Sequence, residues 1–193
     1  MEITTELIKD LRDKSGVSVM QCKKALEEAG GDMQKAISIL QKKSKEIAAK
    51  KQDRNLGAGV VASYIHATRK VGSMVELLCE TDFVSGNADF QNLARDIAMH
   101  VSATNPDYLK MDDVSPAEME KSQELFASDV EGKPEDIKKK IIEGKLASYW
   151  GERVLLDQPF IKNPDLTIRD LINSAIQKFG EKIEMSRFTR FSI

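Results

Sequence analysis

Near residue 55 the hydrophobic period of the chain changes, and that change restricts the fold more than any other feature of its 193 residues. Before it, apolar residues recur every three to four positions, the spacing of one helix face. After it, Val60 to His66 and Val71 to Cys79 are rich in β-branched and apolar residues and are separated only by Ala67-Thr68-Arg69-Lys70, a hairpin signal. The pattern predicts two domains, 1–54 and 55–193.

The first fifty residues read as three short helices. Ile3, Leu7, Ile8 and Leu11 lie at helical spacing behind Thr4 or Thr5 as a cap, and Ser15-Gly16 ends that helix. Ser18-Val19-Met20-Gln21 has the form of a capping box and opens a second helix through Cys22, Ala25, Leu26 and Ala29. Gly30-Gly31 stops it, and Asp32 caps a third helix carrying Met33, Ala36, Ile37 and Leu40. The third helix runs on as a basic linker from Lys45 to Lys51, losing its apolar stripe, and Gln52 to Gly59 is a linker. A bundle of about 40 residues sits near the lower limit for independent folding.

Beyond the hairpin, Asn87 or Ala88 to Thr104 forms a helix. Ser115-Pro116-Ala117-Glu118 is a second capping box that starts an acidic helix to about Val130. Gly132-Lys133-Pro134 breaks it, and Pro134 opens another helix through Ile137, Ile141, Ile142 and Leu146. Arg153 to Ile161 reads mostly as a third strand, with Pro159 placing it at an edge. Thr167-Ile168-Arg169-Asp170 caps a final helix ended by Gly180. Lys182 to Phe191 is a last strand, with Ile183, Met185 and Arg187 alternating with Glu184, Ser186 and Phe188. Strands that come as hairpins and ends, not in regular alternation with helices, give an α+β domain with a small antiparallel sheet packed by helices.

Composition excludes several functions. A net charge of −2 argues against a nucleic-acid binder, and the basic run from Lys42 to Arg54 lacks the interleaved aromatics that stack bases. No apolar run approaches the ~20 residues of a membrane span, and Met1 to Glu6 has no secretion signal, so a cytoplasmic protein is expected. Cys22 and Cys79 lie far apart and read as packed thiols; no metal site and no cofactor are indicated. There is no phosphate-binding Gly-rich loop, no nucleophile elbow and no HExxH. His66 and His100 read as surface or partly packed residues, and Glu76, Glu80 and Asp82 as strand-end acids more than a tuned acid/base pair. The chain does not read as an enzyme.

Glu80-Thr81-Asp82-Phe83-Val84 follows the second strand and precedes the Ser85-Gly86-Asn87 turn. A large aromatic beside an acid at a strand exit is either a core plug or a side chain aimed at another molecule. Local pattern favours the plug, because large apolar residues are mostly inside.

Two segments together resemble one family. Leu11 to Leu26, reading LRDKSGVSVMQCKKAL, is similar to the N-terminal signature of translation elongation factor Ts, and Val75 to Val84, reading VELLCETDFV, is similar to its core signature. Gln158-Pro159-Phe160 and Arg187-Phe188-Thr189-Arg190-Phe191 also resemble family segments, so the likeness covers essentially the whole chain. It implies a guanine-nucleotide exchange factor for elongation factor Tu, with a three-helix ubiquitin-associated-like bundle and an α+β core. It implies a short form, without the duplicated core and inserted helical hairpin of longer members, that compensates by forming a homodimer and a two-to-two complex. Asp82 and Phe83, within Thr81 to Val84, match the pair that enters the GTPase domain near the magnesium and phosphate site. Arg12, Val19, Met20 and Lys23 match an N-terminal contact to the same domain, and His66 a core contact to another. The chain departs from the family at Val19, where a Met is usual. Val keeps the apolar contact with less adaptability. The competing class is an interaction module without exchange activity, in which Met20 and Leu26 form a peptide groove or fill the bundle's core.

Overall fold

Local caps lay out the first module. The computed structural model describes residues 3–127, 129 and 134–193. Thr4 accepts the Leu7 N–H at 3.2 Å and starts α1 (Thr5–Ser15), which ends at Gly16 in the left-handed conformation, φ 68°. Ser18 and Asp32 accept the N–H groups of Gln21 and Lys35 at the starts of α2 (Val19–Glu28) and α3 (Met33–Ala49). The three helices bury Ile8, Leu11, Val17, Cys22, Ala25, Leu26, Ala36 and Leu40 against one another. Leu26 is therefore a core residue and no part of a groove.

The remaining elements are β1 (Ala58–Ile65), β2 (Val71–Cys79), α4 (Asp82–Ser85), α5 (Ala88–Thr104), α6 (Pro116–Ala127), α7 (Glu135–Gly151), β3 (Pro159–Phe160), β4 (Asn163–Thr167), α8 (Ile168–Phe179) and β5 (Ile183–Ser192). The main sheet has the order β1-β2-β5, antiparallel throughout. Its inner face, Val60, Ala62 and Tyr64 beside Val75, Leu77 and Cys79, meets Phe90, Ala94, Ile97 and Val101 of α5 and Ile172 and Ile176 of α8. The outer face carries Val61, Ile65, Met74 and Phe191, all exposed.

Four features differ from the sequence reading. First, α3 does not lose its inner face after Leu40. Ser44 is buried and hydrogen-bonded to Gln177, Ile47 and Ala48 pack against the second core, and Lys45 pairs with Asp170 at 3.5 Å. Residues 44, 47 and 48 share a helix face by their i, i+3, i+4 spacing. The helix thus belongs to both cores. Second, the expected strand from Arg153 is mostly turn. Val154 and Leu155 are adjacent and both fully buried, which the alternation of a one-faced strand forbids. Leu155–Asp157 is a 3-10 turn, the Leu155 and Leu156 N–H groups donate to the carbonyls of Tyr108 and Leu109, Val154 makes a lone parallel bridge to Tyr108, and Pro159–Phe160 pairs with β4. Third, a bulge opposite Glu76 and Leu77 makes Ser186 an extra residue in β5. Phe188 therefore turns inward opposite Val75, and Arg187 turns outward, Nε to Glu76 Oε2 at 3.1 Å. Fourth, His100 is fully buried, not at the surface: its Nε2 lies 2.8 Å from Gln158 Oε1, and burial pushes its pKa below the ordinary 6.5.

α6 and α7 pack on each other around Met119, Leu146 and Trp150, so the chain does hold a helix pair between β2 and β5. Ser115 and Glu118 form the predicted reciprocal cap of α6. Val130, Gly132 and Lys133, where a helix end and break were expected, lie outside the described residues.

Candidate functional site

The strand exit after Cys79 is built from residues a hundred positions apart. Where the ladder stops, the N–H groups of Glu80 and Thr81 donate to Glu181 Oε2 at 3.1 and 3.0 Å, and the Thr81 hydroxyl donates to Glu181 Oε1 at 2.6 Å. Glu181 sits in the turn between α8 and β5, just past Gly180, whose left-handed φ of 72° ends α8. In return Glu80 accepts the Lys182 N–H, and its two oxygens lie 3.2 and 3.1 Å from an Arg54 nitrogen. The Lys182 bond, with Arg54 behind it, holds the Glu80 carboxyl below the usual carboxylate range.

Four residues then make one helical turn. The Ser85 N–H reaches the Thr81 carbonyl at 3.2 Å, the Gly86 N–H that of Asp82 at 2.9 Å, and the Asn87 N–H that of Val84 at 3.0 Å. Asn87 next accepts the Asp89 N–H and caps α5. Val84 points into the second core and is 2% exposed. Its side chain anchors the turn from inside the core, unlike the other expected contact residues of the segment, Thr81 to Phe83, which are exposed. Phe83 points the other way and is 86% exposed, so it is not a core plug. Thr81 and Asp82 flank it at the surface.

The other expected contact residues lie elsewhere. Arg12, in the last turn of α1, and Val19, Met20 and Lys23, in the first turns of α2, are all exposed at one corner of the bundle. Met20 is 69% exposed, and Lys23 lies 3.9 Å from Glu27. His66 is exposed at the hairpin, its Nδ1 2.9 Å from Thr68 Oγ1. The length of β2, about 26 Å at 3.3 Å per residue, separates that hairpin from the Phe83 turn.

Two of the three strand-end acids are held by cations. Glu76 is engaged by Arg187 and Glu80 by Arg54, so neither acid faces an open reacting site. Among the described residues no group of three or more His, Cys, Asp or Glu side chains could hold a metal ion, and no helix is long and apolar enough to cross a membrane. The sequence reading missed Glu181 and Arg54. The only local cue at Glu181 is its place after a helix-ending glycine, which says nothing of Thr81.

Comparison with known proteins agrees on one family. The family model described as Elongation factor TS matches residues 2–193. The chain is 48% identical over 194 aligned positions to Elongation factor Ts of Thermodesulfovibrio yellowstonii, covering 100% of this chain and 97% of that protein. It is 46% identical to Elongation factor Ts of Carboxydothermus hydrogenoformans, over 99% of this chain and 89% of that one. Elongation factor Ts of Thermosipho melanesiensis is also 46% identical, with 99% and 98% covered.

Proposed function

The chain belongs to the elongation factor Ts family, and from that premise we propose that it is a guanine-nucleotide exchange factor for elongation factor Tu in translation elongation, acting in the cytoplasm without bond-making chemistry of its own. The observation that carries this reading is Phe83, a side chain 86% exposed on a turn closed by three backbone hydrogen bonds. Leaving such a ring exposed forgoes the stabilisation of burial, roughly 1.5–3 kcal/mol, and suits a side chain that is buried in a partner.

Phe83 wedges between helices of the GTPase domain while Asp82 holds the displaced elements, so the ligands of the partner's magnesium ion lose alignment. A protein that binds the nucleotide-free conformation more tightly by some factor weakens nucleotide binding by the same factor. A wedge already fixed on its own scaffold spends none of that binding energy on ordering itself. The bundle of residues 1–54 is of the ubiquitin-associated type and adds a second contact to the GTPase domain through Arg12, Val19, Met20 and Lys23. His66 meets another domain of the partner.

Residues 55–193 also dimerise, giving a two-to-two complex with elongation factor Tu. Supporting this, Gly72 lies between Ile65 and Phe191 across the three strands, a shallow notch between two exposed apolar side chains on the outer sheet face. A second copy is the self-complementary occupant for such a face.

Release of labelled GDP from elongation factor Tu tests the wedge. Phe83→Ala is expected to lower the stimulated rate on the order of 100-fold, the scale of a central hot-spot aromatic, and Asp82→Ala by less. Full stimulation by both variants overturns the reading.

A further inference from the structure

We infer that Glu181 is a positioning residue for the Asp82–Phe83 turn: it acts through Thr81 to hold the aromatic in the orientation the partner meets. The inference rests on the exchange-factor reading above and deepens it. Thr81 stands at the start of α4, where its hydroxyl would ordinarily turn inward to cap the helix. Instead it donates to Glu181 at 2.6 Å and makes no side-chain cap bond. The same carboxylate takes the two backbone N–H groups that the ladder leaves unpaired as β2 ends. Three donors converge on one side chain, so the direction in which the chain leaves the strand is set from the α8–β5 turn, not by the turn's own four residues.

Two further ties stop that turn from drifting. Lys182, next to Glu181, donates its N–H to Glu80, so each acid holds the backbone of the other's segment. The Lys51 ammonium donates to the Gly180 carbonyl at 2.5 Å, and the Lys182 ammonium to the Gln52 carbonyl at 2.8 Å. Residues 51, 52 and 54, which follow α3, are thereby bound to the clasp that holds Thr81.

A positioning role has a kinetic signature distinct from that of the wedge. If Glu181 raises the fraction of free protein whose turn is competent to dock, its loss weakens apparent affinity by that fraction and leaves the seated complex unchanged. Glu181→Ala is therefore expected to raise the concentration for half-maximal GDP release about tenfold while the plateau rate stays within about twofold. Glu181→Gln keeps an oxygen for the two backbone donors and should recover most of the loss. Phe83→Ala lowers the plateau. Adding Glu181→Ala to Phe83→Ala should shift half-saturation by less than twofold, because residues that act through one another do not add. Amide hydrogen exchange of the free variant gives a second reading: Glu80 and Thr81 should lose protection, while Leu77 and Val75 should keep theirs.

An unchanged half-saturation in Glu181→Ala, with Phe83→Ala still defective, overturns the positioning role and leaves the wedge. So does a full tenfold shift in the Phe83→Ala background. If Phe83→Ala alone stimulates as well as the unaltered chain, the wedge fails, and this role fails with it.

Discussion

The two ends of β2 solve the same problem, how to leave a strand, by opposite means. At the hairpin end the turn is closed by its own residues: the Arg69 N–H donates to the His66 carbonyl at 2.8 Å, and the His66 N–H to Val71 at 2.9 Å. At the far end the N–H groups of Glu80 and Thr81 are satisfied by Glu181, and Glu80 by Lys182 and Arg54. The local turn supports a broad face, with Ile65 and Phe191 exposed either side of Gly72. The long-range clasp supports a single protruding ring. A wide apolar face tolerates small errors in the turn beneath it, whereas a lone ring proposed as a wedge has to arrive at one place, and the support of its turn is drawn from the rest of the fold.

The sharpest test of that contrast compares two phenylalanines on either side of Val84. Phe90 is fully buried under the Phe83 turn. Phe90→Ala is expected to cost about 3–5 kcal/mol in denaturant unfolding, whereas Phe83→Ala should stay within about 0.5 kcal/mol while losing exchange. Comparable destabilisation by both would mean that the ring at 83 is part of the core after all.

The hairpin end gives the next largest effect. Phe191 is 70% exposed at the outer face, and Phe191→Asp should weaken self-association by about 2 kcal/mol, roughly thirtyfold, in sedimentation equilibrium without altering the monomer's unfolding. An unaltered chain that sediments as a monomer at every concentration removes the dimer and with it the functional difference between the two ends.

The smallest effect is of pH. The Glu80 carboxyl sits below its usual 4.5 because the folded chain donates Lys182 N–H, and Arg54 lies beside it. A group whose folded pKa is depressed contributes stability above its unfolded pKa and loses it as pH falls through the folded value. Lowering pH from 5 toward 3, a range of about two units about the usual value, should lower the protection factor of the Lys182 amide, its exchange compared with that of an unfolded chain at the same pH, before that of the Arg69 amide, which is bonded to the His66 carbonyl. Equal loss at both ends would show that the clasp does not depend on Glu80.

What the sequence made legible follows the same division between local and distant. Thr4, Ser18, Asp32, Asn87 and Thr167 each accept an N–H two or three residues on, and each helix start could be read from that short reach. The hairpin was legible for the same reason. Ser186 was not, since a bulge is fixed by its pairing with Glu76 and Leu77 and leaves the alternation of β5 looking regular until the partner strand is known. Leu155 was misread as a strand residue because apolar content does not tell a buried turn from a buried strand. At the candidate site, local pattern pointed Phe83 inward, and only the likeness of the flanking segments to a known family pointed it out. Its exposure is decided by Val84, which takes the inward place one residue later.

The continuity of α3 bears on how the two proposed contacts combine. One helix runs from the bundle core at Ala36 and Leu40 to the second core at Ile47 and Ala48, and the residues after it are tied down at Gly180 and Glu80. The corner bearing Met20 and the turn bearing Phe83 are thus carried on one stiff spacer. Once either contact is made, the other is presented at a fixed separation, so its effective concentration is set by geometry and not by the search of a loose tether. On the proposed reading a modest contact at Val19 and Met20 would multiply the grip at Phe83, and a glycine-rich insertion after Ala49 is expected to reduce that gain without touching a proposed contact residue.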